Sequence, residues 1–243
     1  MTMLSPDQPT LHFPVSAEVP ESTLHFELRA LIYDFLVLAF GEVATIGCDQ
    51  FVYWDPTDPR ACLAPDAFVR FGAKDEHFDS WKVWERGAPQ VAVEIISVSD
   101  SSQLSWAEKL ERYRRLGVSE LVRFDPETPE HPLRIWDFVG DDLLERGLLE
   151  PCAQSRHLAG FWLPVEDSSG DLTLRLSRDE QGQQLFPTRA EQSAARAEQN
   201  AARAEQNAAH AEQVEQALRL KTEALAAAEQ RLAELEAELR RRS

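Results

Sequence analysis

The first strong periodic signal lies between Ser22 and Gly41, where Leu24, Leu28, Leu31, Ile32, Phe35, Leu36 and Ala39 recur at spacings of three and four. That is the stripe of an amphipathic helix, opened by a Ser/Thr cap and closed by a glycine. Upstream, Pro6, Pro9, Pro14 and Pro20 interrupt any regular pattern, so residues 1–21 are expected to form an extended arm. Downstream the period shortens to that of strands over residues 43–46, 51–54 and 67–71, with Asp55-Pro56-Thr57-Asp58-Pro59 as a turn. Residues 72–88 are polar and irregular, with Trp81 and Trp84 expected to cover a core edge.

Residues 91–96 are apolar at every position except Glu94, which predicts a central strand covered on both faces. An unpaired carboxylate there costs several kcal/mol, so Glu94 needs a cation, a hydrogen-bond donor or a raised pKa. Ser105-Trp106-Ala107-Glu108 fits a capping box, and Trp106, Leu110 and Tyr113 mark one face of the following helix. Lys109 stands three after Trp106 and four before Tyr113, which puts it on that inward face. Gly117 ends the helix, and residues 120–124 read as the next strand, stopped by Asp125-Pro126. Residues 133–138 and shorter pieces to Leu176 read as a terminal extension of the sheet. His157 and Trp162 there are expected to pack and not to ligate, since neither has a His or Cys partner at ligand spacing.

From about Thr188 the pattern becomes a seven-residue repeat, with Ala190, Ala197, Ala204, Ala211, Leu218, Leu225, Leu232 and Leu239 in one seam. The second seam is poorer, holding Ser193, Asn200, Asn207, Val214, Lys221, Ala228 and Leu235. Three parts follow: an arm over 1–21, a globular α/β domain over 22–187, and a coiled-coil helix over 188–243 that is expected to join copies into a homo-oligomer.

Composition narrows this picture. The 243 residues have no run of about 18 apolar positions and no basic-then-apolar leader, so no membrane association and a cytoplasmic location are expected. Cys48, Cys62 and Cys152 form no C-x-x-C pair and are expected to be buried free thiols. The net charge is −17, and with ten acids against nine basic residues from Thr188 onward, nearly all of the excess sits in the globular part. Such a surface repels a polyanion at long range and argues against a nucleic-acid partner.

Candidate chemistry concentrates in one stretch. Pro65-Asp66 stands at the entrance of one strand, Glu94 lies inside another, and Lys109 is on the helix that follows. Two carboxylates on neighbouring strands suit Mg²⁺, and a cation beside them can stabilise a phosphoryl group under attack. Each residue also has a plainer reading. Asp66 can be a strand-entry aspartate, Lys109 a stem snorkelling along the helix flank, and Glu94 the buried ion-pair partner of Lys109. Spacing does not separate these. Glu27, in the early turns of the first helix, could face a metal site or serve the helix dipole alone.

Five blocks in order resemble the Uma2 family of endonucleases, in the PD-(D/E)XK, restriction-endonuclease-like superfamily. They are Pro65-Asp66-Ala67-Phe68-Val69, the run from Gly87 through Glu94 to Ser97, Lys109-Leu110-Glu111-Arg112-Tyr113, the run from Leu116 to Val122, and Asp125-Pro126. The resemblance covers roughly residues 22–165 and implies a mixed sheet flanked by helices and metal-dependent hydrolysis of DNA. It implies Asp66, Glu94 and the Ile95 backbone carbonyl as ligands to Mg²⁺ or Mn²⁺, Lys109 as the catalytic lysine, and Ser97 and Tyr113 in supporting places. The lysine has moved to the helix, because the strand position two after the glutamate is Ile96. Gln90 and Ser105 stand where relatives often carry acids, and an N-terminal strand with its own glutamate has no counterpart in the chain. A catalytically inactive nuclease-like assembly or regulatory module, acting through its coiled coil, is the alternative reading.

Overall fold

A computed structural model describes residues 22–73, 78–97, 104–148 and 152–242. The proline-rich arm lies outside the described residues. The chain divides into two compact units, Met1–Arg189 and Ala190–Ser243.

The first unit opens with α1 (Thr23–Phe40), capped by Ser22, whose hydroxyl accepts from the His25 amide at 3.1 Å. Its buried stripe is Leu28, Ile32, Phe35, Leu36 and Phe40, the spacing of a helix lying on a sheet. That sheet has six strands. They are β1 (Ala44–Gly47), β4 (Ala67–Phe71), β6 (Val91–Ile95), β7 (Glu120–Phe124), β8 (Leu133–Val139) and β9 (Asp142–Glu145), in that spatial order. The pairing is antiparallel throughout except between β6 and β7, which run parallel and are joined by the crossover helix α3 (Trp106–Leu116).

All five residues of β6 are buried, because both faces of the sheet are covered. Val91, Val93 and Ile95 join α1 in one apolar cluster, while Ala92 points to the other face, into a second cluster with Tyr113 and Leu116 of α3. Glu94 shares the parity of Ala92 and therefore faces α3. Strands β1 and β4 approach closely. Gly47 pairs with Phe68, and a Cβ on Gly47 would lie 2.0 Å from that ring, so only glycine fits. The capping box at Ser105 and Glu108 forms as expected, and Gly117 ends α3 in the left-handed region at φ 79°.

Between β1 and β6 the chain adds a small three-stranded sheet of β2 (Val52–Tyr53), β3 (Cys62–Leu63) and β5 (Trp81–Lys82), followed by α2 (Val83–Arg86). The irregular stretch of the sequence reading thus contains a strand and a helical turn. Trp81 is fully buried on β5, whereas Trp84 is exposed. The terminal extension also divides. β8 and β9 widen the main sheet, but β10 (Ala153–Gln154), β11 (Phe161–Glu166) and β12 (Leu172–Ser177) form a separate sheet. Trp162 packs in the core as expected, while His157 is exposed. The three cysteines are free and half-buried, less enclosed than expected.

The described residues of the second unit are all helix, within α4 (Arg189–Arg242). Its apolar seam, including Val214, Leu218, Leu225, Leu232, Leu235 and Leu239, is exposed.

Candidate active site

The β4–β6 register pairs Ala67 with Val93, and one step further along the same antiparallel ladder sets Asp66 opposite Glu94. Two carboxylates are brought together at the end of the sheet where β4 begins and β6 finishes. Both are nearly enclosed, Asp66 at 7% and Glu94 at 4% exposure.

Each carboxylate is held at both oxygens. Asp66 Oδ2 accepts the backbone N–H of Ile95 at 2.8 Å, and its Oδ1 lies 2.8 Å from His25 Nε2. Glu94 Oε2 accepts from Lys109 Nζ at 3.1 Å, and its Oε1 accepts a short hydrogen bond from the Tyr113 hydroxyl. Lys109 and Tyr113 are four apart on α3, so one helix face delivers both donors. Burial pushes the Glu94 carboxyl up to about 7; the Lys109 charge and the Tyr113 hydroxyl pull against this, and the neighbouring Asp66 charge adds to it.

A hard divalent cation takes oxygen ligands, and two carboxylates from adjacent strands supply them. In an extended strand the N–H and C=O of one residue face the same neighbour. Since the Ile95 N–H meets Asp66, its carbonyl is directed to that same side of β6. The donor chemistry of Asp66, Glu94 and the Ile95 carbonyl therefore fits Mg²⁺ or Mn²⁺. Among the described residues no group of three or more His, Cys, Asp and Glu side chains is gathered for a metal.

The fold brings Asp66, Glu94, Ile95, Lys109 and Tyr113 to one place. Ser97 lies two residues past the end of β6 and is half-buried. Glu27 is not delivered there. It is the fifth residue of α1, beyond the first turn, and it is exposed, so neither the metal-facing role nor the first-turn dipole role applies. The residue of α1 that does reach the carboxylates is His25, to which the sequence reading gave no role. Its signal was legible: His25 stands three before Leu28 and seven before Ile32, on the buried stripe. Gln90 keeps a structural task, its Oε1 accepting from the Phe71 amide at 2.9 Å.

A second centre of buried carboxylate, to which the sequence pattern gave no pointer, forms around Glu120 on β7. Glu120 is fully enclosed and accepts from the Ser155 hydroxyl at 2.7 Å, the Arg156 amide at 2.7 Å, Trp162 Nε1 at 3.1 Å and Arg146 at 3.2 Å. Arg146 also pairs with Asp137, the cross-strand neighbour of Glu120. With these four donors Glu120 ties the sheet of β10, β11 and β12 to the main sheet.

A helix, three antiparallel strands, a crossover helix and a parallel fourth strand, with acids at the ends of the second and third strands, form a restriction-endonuclease-like fold. The chain belongs to the Uma2 family, whose model, described as "Putative restriction endonuclease", matches residues 15–166. Among solved structures, it is similar to "a putative nuclease belonging to DUF820 from Anabaena variabilis ATCC 29413", with 15% identity and a TM-score of 0.41 over 55% of this chain and 71% of that one. No curated protein matches the chain. No helix among the described residues is long and apolar enough to cross a membrane.

Proposed function

We propose that the chain is a metal-dependent deoxyribonuclease that hydrolyses DNA phosphodiester bonds, with Asp66, Glu94 and the Ile95 carbonyl holding Mg²⁺ or Mn²⁺. The observation that carries this reading is the convergence of Asp66, Glu94 and Lys109 from β4, β6 and α3 on one end of the sheet. A bound ion would polarise the phosphate and acidify a water. Lys109 would turn from Glu94 to the negative charge that builds on the phosphate under attack, while Tyr113 keeps the Glu94 carboxylate oriented. Ser97 stands in a supporting place beside β6. The reading includes a cytoplasmic location, which suits three free cysteines. It also includes a homo-oligomer assembled through a coiled coil over residues 188–243.

A second reading has a specific observation in its favour. Lys109 and Glu94 are closed on one another, with side-chain exposures of 15% and 5%, and the chain carries a net charge of −17. A nuclease-like module that has lost catalysis and acts through its helix would show the same pair.

The deciding experiment incubates the full chain with single-stranded, linear duplex and supercoiled DNA in Mg²⁺ or Mn²⁺, beside Asp66→Ala, Glu94→Ala and Lys109→Ala. Cleavage that needs the cation and is lost in all three variants supports the nuclease. Absence of cleavage of every DNA form, together with no Mn²⁺ binding by the parent, overturns it in favour of the module.

A further inference from the structure

The Asp66 carboxylate is fixed by two groups of different origin. The Ile95 amide is part of a strand and cannot move away without unpairing β6. One such contact still leaves the carboxylate free to swing about that oxygen. His25 supplies the second point, at the other oxygen and from another element, α1.

We infer that His25 is a positioning residue for Asp66, setting the plane of its carboxylate for a divalent cation; this rests on the reading of Asp66 as a metal ligand. The geometry supports it at three levels. Locally, Ser22 caps the helix through the His25 amide, which fixes the backbone from which the ring projects. In packing, Leu28 and Ile32 continue the same stripe inward, so α1 cannot rotate the ring away without exposing its core face. At the site, the His25 and Asp66 side chains are 12% and 10% exposed, so water competes weakly for their contact. A carboxylate oxygen only accepts, so Nε2 is the ring nitrogen that donates in this contact. Each Asp66 oxygen, having accepted one bond, keeps a lone pair for a cation. Outer contacts of this kind, to a carboxylate that is itself a ligand, commonly change metal affinity by about 10–100-fold when removed.

The test is a Mn²⁺ titration of the full chain followed by the electron paramagnetic resonance signal of the free ion, with thermal unfolding in EDTA measured alongside. Three variants separate position from mere bulk. The amide nitrogen of His25→Gln reaches the place of Nε2, that of His25→Asn reaches only the place of Nδ1, and His25→Ala reaches neither. The expected result is a Kd raised about 10-fold or more in His25→Ala and His25→Asn, with His25→Gln near the parent. An unchanged Kd in His25→Ala and His25→Asn overturns the inference while leaving Asp66 a ligand. Equal loss in all three variants, tracking their loss of melting temperature, overturns it in favour of a helix anchor. A parent chain that binds no Mn²⁺ removes the metal reading itself and the inference with it.

Discussion

Lys109 Nζ lies 3.1 Å from Glu94 Oε2, and this ion pair joins the crossover helix to the central strand. Removing one partner of a buried pair leaves the other charge without compensation, at a cost of about 3–5 kcal/mol. Lys109→Met should therefore lower the stability of the cation-free protein at pH 8 by that order, read from urea unfolding. Lys109→Met combined with Glu94→Gln should cost clearly less than the sum of the two single changes. Additive losses would mean that the pair contributes no coupling.

The Glu94 carboxyl, held near 7 by burial against an ordinary value of 4.5, gives stability a distinct pH dependence. Between those two values the folded chain binds more protons at this position than the unfolded chain does. Its contribution is fully present below about 4.5 and is lost as pH rises through about 7. In EDTA, the melting temperature of the parent minus that of Glu94→Gln should fall from pH 5 to pH 8. A flat difference would show that burial does not hold the proton on Glu94.

Mn²⁺ affinity should run the opposite way, because a ligating carboxylate must be ionised. The parent is expected to bind Mn²⁺ more tightly at pH 8 than at pH 6. Glu94→Gln should lose both the affinity and most of this dependence, as measured by calorimetric titration. Affinity that is higher at pH 6 would remove Glu94 from the ligand set.

Arg146 tests the separateness of the two buried carboxylate centres. It pairs with both Asp137 and Glu120, whose side chains are 6% and 0% exposed. Arg146→Ala should destabilise the first unit by about 3–5 kcal/mol, seen as a lower urea midpoint. Its Mn²⁺ affinity at a temperature where the protein remains folded should equal that of the parent. A selective loss of affinity would bring Glu120 into the functional site.

For the tail, the proposed coiled coil makes assembly depend on the exposed leucine seam. Changing Leu218, Leu225, Leu232 and Leu239 together to Asn should convert the oligomer to a monomer in analytical ultracentrifugation. Helix content should drop as well, because exposed single helices are marginal in water. A parent chain that sediments as a monomer would exclude the oligomer.

Local order and much of the site could be read from sequence. The helix over Thr23–Phe40, the central strand around Glu94 and the capping box at Ser105 followed from apolar period and cap chemistry, which are properties of neighbouring residues. The inward placement of Lys109 followed from its spacing to Trp106 and Tyr113. The strand at Trp81 went unread because two residues leave no period to detect, and the sheet of β10, β11 and β12 was merged with the main sheet because strand pairing is not written into local pattern.

By itself, the sequence determined which residue types were available at the end of the sheet: two acids, one inward lysine and a strand without its own lysine. Only the tertiary structure decided how those groups are engaged. The antiparallel register puts Asp66 opposite Glu94, the parallel crossover lowers Lys109 and Tyr113 onto Glu94, and the first turns of α1 bring His25 to Asp66 across 41 positions of chain. Those contacts depend on long-range pairing and helix docking, whose partners are far apart in sequence. For that reason spacing alone could place His25 on the buried side of α1, but its partner Asp66 is set only by the sheet on which the helix lies.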